Sequence, residues 1–147
     1  MNEQNVFYPR YEVADFTPGV VREHQFVIDK EQVNFFSNVS EDHHPLHTDV
    51  SFSQARGYTD IVVHGMLVAS RSSAFIAREF VGSHGLLVSI SSDFRQPVFC
   101  DMPLVWQGEV ERVFADAGTV EIQWKVINDS QIVMQCGTAC ALLPRPL

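Results

Sequence analysis

The stretch MLVASRSSAFIAREFVG, residues 66–82, predicts the longest helix of the chain. Its apolar and small side chains, among them Met66, Ala69 and Phe80, recur at spacings close to those of one helical face. The stretch is also rich in alanine and serine, so other parts of the backbone can approach it closely. It therefore predicts a central helix that the remaining chain encloses.

After this helix the chain alternates between apolar and polar residues, which is the pattern of strands with one buried face. The alternating segments are 86–94, 104–113, 119–127 and 132–143. Turn-forming residues separate them, and the short separators at 116–118 and 128–130 predict hairpins. One long helix followed by an antiparallel meander predicts an α+β fold in which a curved sheet wraps the helix.

Three shorter elements are predicted before the central helix: a strand at 20–29, a helix at 30–40 and a short helix at 49–57. Asp29 and Asp49 are suited to cap the two helices at their N-termini, and Gly57 is suited to end the second. The aromatic-rich N-terminus predicts an arm that lies across the fold. With 147 residues, the chain suits one domain over 1–147, with 1–19 as this arm.

Composition excludes several classes of function. The chain is 46% hydrophobic and carries a formal charge of −8, so we expect a folded protein without a broad nucleic-acid-binding surface. An anionic ligand would then need local positive groups such as Arg71, Arg78, Arg95 or the N–H groups of a helix start. We find no signal peptide, no apolar run long enough to span a membrane and no cofactor-binding loop. The prediction is a soluble, cytoplasmic protein without cofactor.

The stretch EDHHPLHTD, residues 41–49, concentrates titratable side chains around one proline. A metal site is one interpretation, because His43, His44 and His47 stand close to two aspartates. Pro45 disfavours the helix that would align His43 with His47, so we predict no metal. Two interpretations stay open: a solvated turn that caps the next helix, and an acid–base pair in which an aspartate and a histidine of this stretch share one water molecule.

The residues His64, Gly65 and Met66 stand where the central helix is predicted to begin. The first N–H groups of a helix have no intrahelical acceptor, and the helix dipole favours negative charge there. A thioester carbonyl placed at this point would have its developing enolate oxygen stabilised. Gly65 could instead be a turn residue without a ligand, and we expect His64 to be a packed histidine bonded to backbone.

Two motifs resemble the MaoC-type hydratases and dehydratases, which include the (R)-specific enoyl-CoA hydratases. The family pattern is Asp-x-Asn-Pro-x-His, followed by His-Gly-Met at the start of a buried helix. The resemblance covers about residues 20–143. Six residues match the pattern: Asp42, Pro45, His47, His64, Gly65 and Met66.

This resemblance implies a hot-dog fold, a homodimer and a hydro-lyase reaction on an enoyl or 3-hydroxyacyl thioester of fatty acid or polyketide metabolism. Asp42 and His47 would be the catalytic pair, with His47 as the base and Asp42, protonated in a partly dry pocket, as the acid. The two roles could also be exchanged, because a coupled pair shares its protons. The Gly65 N–H would hold the thioester oxygen, with Met66 and His44 as further substrate-binding residues.

One position departs from the family pattern, since His44 replaces the asparagine. This change beside the catalytic pair leaves open a non-catalytic subunit that binds acyl thioesters. The implied fold leaves open a thioesterase, because hot-dog proteins also hydrolyse thioesters. The substrate carrier also stays open between coenzyme A and acyl carrier protein. No cofactor and no metal are implied by the resemblance.

Overall fold

An antiparallel sheet of six strands curves around one helix in the computed structural model, which describes residues 6–144. The strands are β1 Val21–Phe26, β2 Leu86–Ile90, β3 Asp93–Phe94, β4 Leu104–Phe114, β5 Thr119–Asn128 and β6 Val133–Leu142. Their order in the sheet is β1-β4-β5-β6-β2, and the short β3 also pairs with β6. The helices are α1 Lys30–Ser40, α2 Pro45–Thr48, α3 Val50–Ala55 and α4 Gly65–Ile76.

Helix α4 is the central element and continues into a π-helical segment, Ala77–Val81. Its apolar side chains pack on the concave face of the sheet. Phe75 and Phe80 contact Trp106 of β4, which is fully buried, with ring centroids 5.6 and 6.3 Å apart. The α+β arrangement expected from the sequence is therefore present. Among residues 6–144, none of the helices combines the length and apolar character needed to cross a bilayer.

Helix α1 begins where the sequence predicts. The Asp29 side chain accepts a hydrogen bond from the Gln32 N–H at 2.8 Å, and the Gln32 side chain returns one to the Asp29 N–H at 3.0 Å. Reciprocal bonds of this kind satisfy N–H groups that a helix start otherwise leaves free. The position of α1 matters for the site, because the following loop carries Asp42.

Two details differ from the expected elements. The predicted loop at 41–49 contains the one-turn helix α2, because Pro45 is its first residue and needs no N–H there. The predicted strand at 86–94 is divided into β2 and β3, because Ser91 and Ser92 lie outside both strands. A side chain at Gly137 of β6 would overlap the Ser91 backbone, so glycine permits this close approach.

The N-terminal residues lie against the end of the central helix. The Pro9 carbonyl accepts a hydrogen bond from the Ser83 N–H at 2.9 Å, and Val13 and Phe16 are buried. Gly82 ends the π-helical segment with φ of 69°, a conformation that favours glycine. The predicted arm at 1–19 includes residues 1–5, which lie outside the described part of the chain.

Candidate active site

The backbone carbonyl of Asp42 is held from two sides. It accepts hydrogen bonds from the Ser37 hydroxyl of α1 at 2.7 Å and from the His64 Nε2 at 3.0 Å. Ser37 and His64 are 3% and 2% exposed. A carbonyl can only accept, so the proton of His64 must lie on Nε2. These bonds tie the loop that carries Asp42 to the start of α4, and they give His64 the packed, backbone-bonded role expected for it.

His47 lies in α2 and directs one ring nitrogen at the backbone. Its Nδ1–H donates to the Val62 carbonyl at 2.5 Å, which leaves the Nε2 lone pair free to accept a proton. Burial lowers the pKa of His47 from its ordinary value of 6.5, although the Val62 bond and the Asp42 charge act in the opposite direction. A neutral imidazole with a free lone pair near neutral pH is suited to act as a general base.

The other two histidines of the loop have different partners. His43 Nδ1 lies 3.0 Å from the Ser37 hydroxyl. His44 precedes Pro45 as the N-cap of α2, and its Nδ1 accepts a hydrogen bond from the Leu46 N–H at 3.2 Å. Asparagine is one of the preferred N-cap residues, so His44 can replace the asparagine of the MaoC pattern in this structural role.

Asp42, His47 and His64 each place one potential metal-binding atom within 4.8 Å of the others. The imidazole rings of His47 and His64 are stacked, with centroids 3.9 Å apart and planes inclined by 25°. The His64 Nε2 already donates to the Asp42 carbonyl, so this nitrogen has no lone pair for an ion in this arrangement. The arrangement is better suited to hydrogen bonding.

A cavity of about 480 Å³ joins the loop to the start of α4. Of the residues predicted for the site, it is lined by Asp42, His47, Gly65 and Met66. His44 is not among the described residues that line it, and its ring instead borders a neighbouring depression with Phe52. The predicted substrate contact of His44 therefore has no support from the lining of this cavity and stays a prediction. Asp42 is exposed in the isolated chain, whereas the sequence analysis expected a partly dry pocket around it.

The backbone at the start of α4 offers free donors to this cavity. The His64 carbonyl accepts from the N–H groups of Leu67 and Val68 at 3.0 and 3.3 Å. Within residues 6–144, the N–H groups of Gly65 and Met66 have no such acceptor. The first turn, residues 65–68, also contains no acidic side chain. A ligand oxygen could therefore accept from one or both N–H groups.

Sequence reasoning missed three residues that shape the site: Ser37, Phe94 and Gln135. Ser37 stands four residues after Val33 on the buried face of α1, and a polar residue on an apolar face could have indicated it. Phe94 packs its ring against Gly65, and Gln135 donates to the Gly65 carbonyl at 2.9 Å. No sequence pattern indicates these two contacts, which join residues about 30 and 70 positions apart.

A larger groove of about 610 Å³ is lined by residues of the sheet, among them Glu23, Glu109 and Lys125. Its described lining contains no histidine. The smaller cavity brings a carboxylate, two imidazoles and free N–H groups together, so it is the better candidate for acid–base chemistry.

Residues 15–130 match the model of the family described as MaoC like domain. The chain belongs to this family. An (R)-specific enoyl-CoA hydratase from Aeromonas caviae is 27% identical to this MaoC-like chain over 113 residues, covering 77% of this chain and 84% of the relative. A mitochondrial 3-hydroxyacyl-[acyl-carrier-protein] dehydratase from Arabidopsis thaliana is 32% identical over 121 residues, covering 80% of this chain and 72% of the relative.

The solved structures include the unliganded R-hydratase PhaJ1 from Pseudomonas aeruginosa, which superposes on this MaoC-like chain with a TM-score of 0.85. The match covers 93% of this chain and 88% of the other, at 23% identity. This likeness concerns the fold, and it confirms the hot-dog arrangement expected from the sequence.

Proposed function

We propose that this MaoC-like protein is a hydro-lyase that adds water to a 2-enoyl thioester or removes water from a 3-hydroxyacyl thioester. The relatives bear the names of a hydratase and a dehydratase of this kind. The observation that carries the proposal is that Asp42 and His47 line the same cavity as the free N–H groups of α4. Such a cavity can bind a carbonyl oxygen and a water molecule side by side.

In the hydration direction, the thioester oxygen accepts a hydrogen bond from the Gly65 N–H. His47 Nε2 removes a proton from water, and the oxygen of that water forms a bond to the β-carbon. The electron pair of the double bond shifts toward the carbonyl, whose developing charge the helix start stabilises. The Asp42 carboxylate receives the proton from His47 and delivers it to the α-carbon, which returns both side chains to their starting states.

The carrier of the acyl group is coenzyme A or acyl carrier protein, both of which present a phosphorylated pantetheine arm. Arg95 borders the cavity, and its guanidinium is 60% exposed beside Asp93, whose carboxylate lies 3.8 Å away. In a chain of net charge −8, Arg95 is the local positive group best placed to meet a phosphate. Arg71 and Arg78, the other two candidates of the sequence analysis, contact the Phe75 ring instead.

The assembly that fits this fold is a homodimer joined through β2. This strand lies at one end of the sheet order and exposes Leu86, Val88 and Ile90. An exposed apolar edge strand is suited to pair with another strand. Light scattering should give a mass of about twice 16.6 kDa, and Val88→Glu should reduce it to the mass of one chain.

The test of the reaction uses crotonyl-CoA and a longer 2-enoyl-CoA. Loss of the enoyl absorbance without release of free thiol is the expected result. Thiol release without loss of the enoyl group would indicate a thioesterase. Acyl-CoA binding without either reaction, repeated with enoyl groups on acyl carrier protein, would overturn the proposal in favour of a non-catalytic subunit.

A further inference from the structure

Gln135 of β6 is a buried polar residue that crosses from the sheet to the start of the central helix. Its side chain is 2% exposed and borders the candidate cavity. The Nε2 amide group donates to the Gly65 carbonyl at 2.9 Å, and the Ser92 hydroxyl lies 3.4 Å from Oε1. A buried amide on an otherwise largely apolar strand face is costly unless it is bonded, so these contacts account for its presence.

The orientation of the Gln135 amide follows from its partner. The Gly65 carbonyl can only accept, so the side-chain atom that faces it must be the nitrogen. A carbonyl oxygen has two lone pairs, which allows this bond in addition to the bond within the helix. Gln135 thus adds a hydrogen bond from outside the helix at the turn where helices have the fewest bonds of their own.

The peptide group between Gly65 and Met66 is planar, so fixing its carbonyl also fixes its N–H. The preceding peptide is held by the His64 carbonyl, which accepts from Leu67 and Val68. Both N–H groups at the start of α4 therefore belong to peptide planes whose carbonyls are bonded. This arrangement gives the cavity donors that need no reorientation when a ligand oxygen arrives.

We propose that Gln135 is a positioning residue that preorganises the Met66 N–H directly, and with it the first turn of α4 beside the Gly65 N–H, for the thioester oxygen. This role rests on the proposed hydro-lyase function. Gln135 does not contact the reacting atoms and acts through the peptide that it holds. Because the negative charge on the ligand oxygen grows in the transition state, loss of this support should lower kcat more than it raises KM.

The first experiment compares Gln135→Met with Gln123→Met, a matched change at an exposed position of the neighbouring strand β5. Gln135→Met keeps the side-chain length but removes the donor. We expect its kcat to fall about 10- to 100-fold with KM changed less than about threefold, and Gln123→Met to match the wild type. An unchanged kcat in Gln135→Met, or an equal loss in Gln123→Met, would overturn the role of Gln135.

The second experiment uses Gln135→Glu, in which the donor depends on pH. A carboxylate would face the Gly65 carbonyl with lone pairs only, whereas a protonated carboxyl can donate to it. We expect the kcat of Gln135→Glu, divided by that of the wild type at each pH, to rise as the pH falls. A ratio independent of pH would argue against the proposed bond. This comparison within one folded variant stays informative if Gln135→Met does not fold.

The third experiment needs no substrate and separates this role from the proposed function. Amide hydrogen exchange of Leu67 and Val68 reports the order of the first turn of α4. We expect about tenfold faster exchange in Gln135→Met than in Gln123→Met, because local opening becomes easier. If the wild type lacks hydratase activity but exchange is faster in Gln135→Met, the assigned reaction is wrong and Gln135 still supports the first turn of α4. Unchanged exchange would refute the role of Gln135 whatever the reaction is.

Discussion

The two ends of the central helix α4 are built in opposite ways. At the N-terminal end, Gly65 and Met66 have free N–H groups, and the buried side chains of His64 and Gln135 hold the surrounding backbone. Beyond the C-terminal end, Arg78 and Glu79 lie in the π-helical segment and form a charged network with His24 of β1. The His24 Nε2 lies 2.7 Å from Glu79, and Arg78 donates to the His24 Nδ1 at 2.8 Å.

The helix dipole explains why this difference matters. The positive charges of Arg78 and Arg22 complement its negative end. Both arginines also form ion pairs with Glu79. Its positive end is left without an acidic side chain in the first turn, so the favourable interaction remains for a ligand oxygen. We infer that one end of α4 contributes mainly to stability and the other mainly to function.

The largest effect is expected from the side chains that face the N-terminal end. Asp42→Asn and His47→Ala remove the proposed acid and base while leaving the backbone bonds of Asp42 in place. Each change should lower kcat about 10²- to 10⁴-fold on the true substrate, which is the usual contribution of general acid–base catalysis. Thermal unfolding should change little in Asp42→Asn, because the carboxylate is exposed. Full activity in either variant would refute the assigned pair.

The next effect is steric and concerns Gly65. A Cβ atom there would lie 2.8 to 2.9 Å from three ring carbons of Phe94, so the ring must shift. Gly65→Ala should lower kcat/KM about 10- to 100-fold, because the displaced ring disturbs the space beside the N–H groups. The double variant Gly65→Ala/Phe94→Ala should recover the activity of Phe94→Ala alone. No recovery would mean that the methyl group itself blocks the ligand.

Much of the fold and part of the candidate site could be predicted from local sequence signals. Helix periodicity indicated α4, alternation indicated the strands, and Asp29 and Asp49 indicated the starts of α1 and α3, because these signals act over a few residues. The predicted hot-dog fold came from two short motifs whose order along the chain is specific. The same motifs placed Asp42, His47 and Gly65 at one cavity, although their chemical roles stay predictions.

The contacts that complete the site could not be predicted in the same way. Gln135 and Phe94 reach Gly65 because the pairing of β3 with β6 brings them there. Strand register is decided by the whole sheet, so no local pattern specifies it. The motif likewise gave no indication that the His44 ring accepts a hydrogen bond from the Leu46 N–H.

A smaller effect is expected from pH. Burial lowers the pKa of His47 from 6.5, so the base should remain neutral at pH 7 and become protonated only in more acidic solution. The acid limb of kcat/KM should therefore have its midpoint below 6.5 and fall about tenfold per pH unit beneath it. Between the lowered pKa of folded His47 and 6.5, the unfolded chain binds more protons than the folded one. The contribution of His47 to stability therefore rises with pH in this range.

The control for this pH dependence is His47→Gln. It should show a flatter dependence of unfolding free energy on pH below 6.5 than the wild type. A wild-type acid limb with its midpoint above 6.5 would contradict the proposed role of burial.

Substitutions beyond the C-terminal end of α4 should change the stability of the protein and leave kcat nearly unchanged. The Glu79 side chain is 18% exposed, and its replacement by Gln would leave His24, Arg78 and Arg22 without their shared carboxylate. We expect Glu79→Gln to lower the free energy of unfolding by about 1–2 kcal/mol, between the values for exposed and buried ion pairs. Denaturant unfolding measures this change, and kcat should stay within about twofold of the wild type.

Glu111→Gln is the matched control for this end, because Glu111 is exposed on β4 and forms no ion pair among residues 6–144. Its stability should equal that of the wild type. If Glu79→Gln reduces kcat as strongly as it reduces stability, the two ends of α4 are coupled and the division between them is wrong.

The smallest effect concerns His44, which lies beside the functional end without lining the cavity. If its role is to cap α2, His44→Ala should lower the free energy of unfolding by about 1 kcal/mol, since the Leu46 N–H loses its acceptor. His44→Asn should retain wild-type stability and kcat, because the Asn side-chain oxygen can accept from the same N–H. Equal stability loss in both variants would exclude the cap, and a large loss of kcat in His44→Asn at wild-type stability would instead assign the imidazole to the reaction.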